Sequence, residues 1–199
     1  SGKISIILGL SYAIILCLLA FLVLINFNYF TIFIALGSMP LAFTYPLMKR
    51  FTYWPQLFLG VTFNYGLILG WSSIFREISL LPIVFYIGAI FWTLAYDTIY
   101  GFQDVKDDEI IGIKSTSIKF KNNARFFLFC IYFIAFSFWT SSLILLHNSI
   151  LIIAIFILLC LLILILVLFT NTKEPNECKK TFIYNSYFSL GIVFVLIGA

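Results

Sequence analysis

Seven stretches of about 20 residues are almost wholly apolar, near 4–25, 30–48, 54–75, 79–100, 126–146, 149–170 and 181–199. A helix of about 20 residues spans the roughly 30 Å hydrocarbon core of a bilayer, so each stretch predicts a membrane-spanning helix. Six carry no charged side chain; the fourth carries Asp97 close to its end. None alternates with the period of two that a barrel strand needs. The sixth, LIIAIFILLCLLILILVLFT, is apolar on every face, as a lipid-exposed helix is. The pattern predicts an all-α polytopic transmembrane bundle of seven spans, forming a single domain over 1–199.

The segments between spans alternate sharply in basic content. Lys3, Lys49, Arg50, Lys106, Lys114, Lys119, Lys121, Arg125, Lys173, Lys179 and Lys180 fall on one side and Arg76 alone on the other. A missed span would scramble that alternation, so charge supports the count of seven independently of hydropathy. The basic side is expected to face the cytoplasm of a bacterial inner membrane, or the matrix if the membrane is the mitochondrial inner one.

With 63% hydrophobic and 10% charged residues, the chain cannot cover a water-soluble surface. A net charge of +4 carried by 12 basic residues makes no nucleic-acid-binding face. Cys17, Cys130, Cys160 and Cys178 lie far apart and form no C-x-x-C pair, which suits packing rather than disulfides or metal ligation. The chain opens on Ser1 with no secretory leader pattern, so either an initiator was removed or a longer protein precedes it.

All four aspartates, Asp97, Asp104, Asp107 and Asp108, cluster where the fourth span meets the longest basic loop, with Glu109 adjoining. The last three carboxylates alone would read as a solvated loop. Asp97 follows a long uncharged run, where an ionisable group is costly without a partner. If the helix continues, Asp97, Tyr100, Asp104 and Asp108 form one stripe, with Asp97 and Asp104 about 10 Å apart along the axis, too far to share one ion. An oxygen-only cluster suits Mg²⁺, which takes one or two carboxylates together with phosphate and water. Lys49, Arg50, Lys106 and Lys114, on the same side, could bind phosphate oxygens. The sole histidine, His147, falls in a loop on the opposite side, which removes Ser-His-Asp and zinc arrangements, and no nucleotide-binding glycine motif is present. In the third span, Gly66 and Gly70 predict close helix packing. Gln56 and Asn64 are expected to point inward, toward the cavity the aspartates face.

The segment Y96-D-T-I-Y-G-F-Q-D104, with D107-D and later G112-I-K-S-T116, resembles the second aspartate motif, D-x-x-Y-x-x-x-D, of the UbiA superfamily of intramembrane aromatic prenyltransferases. Y45-P-L-M-K-R50 and the stretch from Pro55 to Trp71 are similar to its 4-hydroxybenzoate polyprenyltransferase branch. The resemblance implies a bundle of nine helices with a polar cavity holding Mg²⁺ and a polyprenyl diphosphate. It implies transfer of the polyprenyl group to the ring of 4-hydroxybenzoate, in ubiquinone biosynthesis. Asp97 and Asp104 would then be metal ligands, Tyr100 a polar support between them and Asp107 an auxiliary to the metal or the acceptor. Lys49, Arg50, Lys106 and Lys114 would bind diphosphate, and Tyr45, Gln56 and Asn64 would line the cavity.

The family's first aspartate motif, N-D-x-x-D-x-x-x-D, is absent, and nine helices less two leaves the seven counted. The expectation is an N-terminally incomplete domain, inactive alone, whose partner would be a fragment carrying the missing helices. Another acceptor, a non-catalytic remnant or half of a split enzyme are the alternatives; a transporter fits less well, because the charges lie at span ends rather than at the midplane.

Overall fold

A computed structural model describes residues 5–146 and 149–197; His147 lies outside the described residues. The chain forms α1 (Ile6–Leu24), α2 (Tyr29–Thr44), a 3₁₀ turn (Tyr45–Leu47), α3 (Met48–Phe51), α4 (Pro55–Phe63), α5 (Tyr65–Phe75) and α6 (Leu80–Gly101). Two short helices follow, α7 (Val105–Ile111) and α8 (Thr116–Phe120), then α9 (Ala124–Leu145), α10 (Ile150–Phe169) and α11 (Pro175–Ile197). Seven helical runs are long and apolar enough to cross a membrane, with α2–α3 and α4–α5 each acting as one span. The protein is therefore an all-helical, integral membrane bundle.

Helix starts follow local chemistry. Side chains of Ser5, Asn28 and Ser149 accept from backbone N–H groups three residues on, and Pro55 and Pro175 open α4 and α11. The last span starts at Pro175 rather than near 181. Glu177 accepts the Asn171 N–H at 2.9 Å, and the hydroxyls of Thr170 and Thr181 meet at 2.8 Å, so Lys179 and Lys180 belong to the first turns of a helix rather than to a loop. The third span breaks at Asn64, whose amide donates to Gly60 O, Ala89 O and Thr93 Oγ1.

Helix α6 is the hub. It packs along α9 and also against α4, α5 and α11, while α10 closes the group against α9 and α11. Leu94, Ala95 and Ile99 of α6 are buried together with Leu128, Tyr132, Ala135 and Trp139 of α9, Phe156, Cys160 and Val167 of α10 and Phe188 of α11. Helix α2 lies outside α4 and α5, and α1 runs along the margin with its residues exposed. Lipid is as apolar as these side chains, so helix pairing rests on close fit and interhelical polar bonds. Tyr132 donates to Asn185 at 2.7 Å, and Trp139 Nε1 donates to Phe85 O at 3.0 Å.

The glycines that allow close approach are not those the small-residue spacing singled out. A Cβ on Gly60 would stand 2.7 Å from the Ile90 carbonyl oxygen, and one on Gly88 would stand 2.5 Å from Trp139 Cδ1, whereas Gly66 and Gly70 meet nothing within 4 Å. The expectation for Gly66 and Gly70 is corrected: the break at Asn64 sets the face that α5 turns to its neighbours, and both glycines point away from them. The four cysteines are free, with Cys160 and Cys178 buried.

Candidate functional site at the basic end of the bundle

Asp97 lies in the last turns of α6, half-buried, and the charge of Lys49 at the end of the α2–α3 span acts on it. Tyr45, half-buried in the 3₁₀ turn one turn before Lys49, senses the charge of Asp97 in turn. From the other direction, Asp108 on α7 also senses Lys49. Burial pushes the Asp108 carboxyl up, Lys49 pulls it down, and Asp104 and Asp107 push it up again. The charge of one exposed lysine thus acts on two carboxylates that are eleven positions apart in sequence, with no ion pair to either among the described residues.

The continuous aspartate stripe does not form. Helix α6 ends at Gly101, where the N–H groups of Phe102, Gln103 and Asp104 bond three residues back in a tightened turn. Phe102 is buried at 8% exposure, which draws the chain inward and reorients everything after it. Asp104 becomes the exposed residue preceding α7, and Asp107 is exposed on α7. The Tyr100 ring packs on Phe182 of α11 at 5.0 Å. Asp97 is the one aspartate that stays with the membrane-spanning core.

A buried polar clasp, made by residues 114–117, holds this end together. Gln56 Oε1 accepts the Thr116 N–H at 3.0 Å, the Thr98 and Thr116 hydroxyls meet at 2.6 Å, and Ser117 Oγ donates to Thr98 O at 2.8 Å. Ser115 caps α8 by accepting from Ile118 N–H. Gly101 lets this happen, because a Cβ there would run into Ser117 Oγ. The Lys114 N–H bonds Lys49 O at 3.0 Å, so the clasp fixes the backbone that carries Lys49. The Lys114 ammonium turns to Phe51 O and the Tyr53 ring, and Lys119 sits 4.7 Å from the Trp54 ring centroid.

Of the cations anticipated as phosphate ligands, Lys49 is the one whose charge acts on Asp97 and Asp108. Arg50 is exposed on the same short helix, Lys114 is engaged as a helix cap, and Lys106 lines a separate cleft with Lys121 and Lys173. Gln56 and Asn64 do point inward, but both are committed to interhelical bonds. Thr98, Gly101, Ser117 and Lys119 were not anticipated. The run of three hydroxyls at Ser115, Thr116 and Ser117, directly after Lys114, was the legible sign of a buried polar element.

Among the described residues no three His, Cys, Asp or Glu side chains gather as a metal cage. The carboxylates present are oxygen donors offered singly, on either side of Lys49. That arrangement suits a hard divalent ion completed by phosphate oxygens and water, rather than an ion held by protein alone.

The family model described as UbiA prenyltransferase family matches residues 1–191. The chain is 50% identical over 110 residues to the human mitochondrial 4-hydroxybenzoate polyprenyltransferase, covering 54% of this chain and 29% of that protein. It is 40% identical over 131 residues to the Arabidopsis thaliana protein of the same name, covering 64% and 32%. The Drosophila melanogaster protein of that name is 46% identical over 113 residues, covering 55% and 28%. The matched stretch thus spans about three tenths of the length of these relatives. No solved structure matches. With the family's model running along nearly all of its length, this chain belongs to the UbiA prenyltransferase family.

Proposed function

We propose that this chain carries the part of a 4-hydroxybenzoate polyprenyltransferase that holds the diphosphate of the prenyl donor. The observation that supports the reading is Asp97, half-buried at the end of a membrane-spanning helix and within the electrostatic influence of Lys49 and Tyr45, with Asp108 under the influence of the same lysine. The donor would be a polyprenyl diphosphate with its tail among the helices and its head at the basic end, and the acceptor would be 4-hydroxybenzoate.

Asp97 would bind Mg²⁺, with Asp108 the second carboxylate within the reach of Lys49. Bound there, Mg²⁺ supplies positive charge against the leaving diphosphate. Lys49, whose charge acts on both carboxylates, would offset their repulsion for the diphosphate and hold its oxygens. The allylic C–O bond then breaks with its electron pair leaving on the diphosphate, and the allyl cation bonds to the ring carbon ortho to the phenol hydroxyl, which loses its proton. Tyr45, half-buried beside Asp97, would position the acceptor.

The basic end would face the cytoplasm or matrix, by the excess of Lys and Arg in its loops. A membrane-impermeant thiol reagent should label Asn122→Cys from that side and Glu77→Cys from the other.

The site is tested by binding of geranyl diphosphate to the chain in nanodiscs with and without Mg²⁺. Binding should require the ion. Loss of a direct ligand in Asp97→Asn should weaken it by more than tenfold, since even residues that only hydrogen-bond a metal's ligands change affinity by about 10–100-fold, with the thermal midpoint unchanged. Equal Mg²⁺-dependent binding by Asp97→Asn would sink the assignment. With the first aspartate motif supplied by a second fragment, prenylated 4-hydroxybenzoate formed by Asp97→Asn at the wild-type rate would sink it too.

A further inference from the structure

A second cationic feature lies apart from Asp97. Between α7, the 121–126 segment that opens α9 and the 171–175 turn that joins α10 to α11, two clefts of about 420 and 590 Å³ adjoin and share Lys121, Asn122, Thr172 and Lys173. Lys106 completes the first and Arg125 the second. Four cations therefore converge on one recess, and no acidic side chain is among the described residues that line it. Glu109, outside the recess, pairs with Lys121 at 2.6 Å, while Lys106, Arg125 and Lys173 form no ion pair among the described residues; the nearest carboxylates along the chain are Glu174 in the 171–175 turn and Glu177, which accepts the Asn171 N–H.

Three like charges around one recess repel each other and cost stability unless an anion joins them. The clefts are of the size that ligand sites take. Asp97, Asp108, Lys49 and Tyr45 do not line them, so the feature is separate from the proposed reaction site. Its flanks identify the kind of anion. Phe126, on the wall of the second cleft, is 73% exposed. Two turns along the same face of α9, Phe133 lines an apolar groove between α9 and α10 with Ile157 and Leu161, all exposed and lipid-facing in a membrane. A ligand that places phosphate among the cations and hydrocarbon along that groove satisfies both surfaces at once, which free phosphate cannot do. Basic recesses between membrane helices on the cytoplasmic or matrix side take anionic lipid headgroups for this reason.

We propose that the recess lined by Lys106, Lys121, Arg125 and Lys173 binds the phosphate headgroup of an anionic membrane phospholipid, whose acyl chains lie along α9 and α10. The test is native mass spectrometry of the full chain released from micelles, titrated with phosphatidylglycerol or phosphatidylcholine. Phosphatidylglycerol should bind more tightly. A cation near an anionic headgroup contributes about fivefold in affinity, so the triple variant Lys106→Gln/Arg125→Gln/Lys173→Gln should lose on the order of a hundredfold. These side chains are exposed, so the variant should fold, checked by an unchanged thermal midpoint in micelles. Lys179→Gln, at the same end but outside the recess, should bind as the wild type does. Inorganic phosphate and geranyl diphosphate, added with Mg²⁺, should leave the phospholipid bound. Equal binding of the two phospholipids would overturn the proposal, as would an equal loss in Lys179→Gln, which would mark a general surface charge. Displacement by inorganic phosphate would reassign the recess to soluble anions, and displacement by geranyl diphosphate would reassign it to the prenyl donor; either overturns the phospholipid assignment.

Discussion

Replacing Gly101 by alanine should disrupt the clasp at the basic end, and the structure sets the size of the effect. A Cβ at 101 would collide with Ser117 Oγ, stand 3.3 Å from Ser117 Cβ and lie 3.6 Å from Gln56 Nε2. Ser117 is fully buried, and its hydroxyl donates to Thr98 O at 2.8 Å. In a continuing helix that carbonyl would receive the Phe102 N–H, but Phe102 bonds Ile99 instead, so Ser117 serves as the cap of α6. Overpacking of this kind costs about 1–3 kcal/mol, and losing the buried hydrogen bond adds roughly 0.5–1.5 kcal/mol. Alanine's advantage over glycine in a helix is below about 1 kcal/mol and smaller still at a terminal position, so the net loss should be about 2–3 kcal/mol. Ser117→Gly should cost about 1 kcal/mol through the uncapped carbonyl. It also removes the obstacle, so the double variant should be less destabilised than the two single effects together by at least about 1 kcal/mol. Unfolding free energies of the four proteins in micelles give the cycle directly. Additive effects would refute the collision between Gly101 and Ser117.

Gly60→Ala should cost about 1–3 kcal/mol, because its Cβ meets backbone at Ile90, whereas Gly66→Ala and Gly70→Ala, in open space, should be neutral or stabilise by up to about 1 kcal/mol; thermal unfolding in micelles separates them. Asn64→Leu should cost about 0.5–2 kcal/mol by removing the donor to Ala89 O and Thr93 Oγ1, read in the same assay. Lys114→Met should lower stability by up to about 1 kcal/mol and leave Mg²⁺-dependent geranyl diphosphate binding nearly intact, while Lys49→Met should do the reverse, as judged by binding and unfolding measured on the same preparations.

The seven spans were legible because lipid imposes one requirement on every residue of a stretch, and the loop charges repeated the same count independently. What the sequence could not show is where a helix stops for tertiary reasons. Nothing in Gly101-Phe102-Gln103-Asp104 forbids another turn of helix, and the steps of three and four from Asp97 to Asp108 argue for one. The turn forms because Phe102 is buried and because Ser117, nineteen positions beyond Thr98, caps the carbonyl of that residue. Gly66 and Gly70 misled for a related reason. Spacing identifies a smooth strip on a helix but not the direction it faces, and that direction changes at the Asn64 break. Gln56 and Asn64 were read correctly as inward, since an amide in an apolar helix needs a partner. Which partner it takes depends on α6 and α8, which no local pattern reveals.

The break after Gly101 also decides how charge is shared out at the basic end. Had α6 run on, Lys106 would have stood about two and a half turns beyond Asp97, on the opposite face of the same helix. The turn instead sends α7 in a new direction. Asp108 then senses Lys49, while Lys106 joins Lys121 and Lys173 in the cleft beside α10 and α11. Lys49 is left as the cation whose charge acts on both Asp97 and Asp108, and the clasp that seats its backbone is built from the hydroxyls of residues 98 and 115–117 and the amide of Gln56 rather than from charge. Neutral groups are the better choice for that task in a membrane. They hold the Lys49 backbone without adding charge at this end of the bundle, and they can be buried fully because each finds a partner.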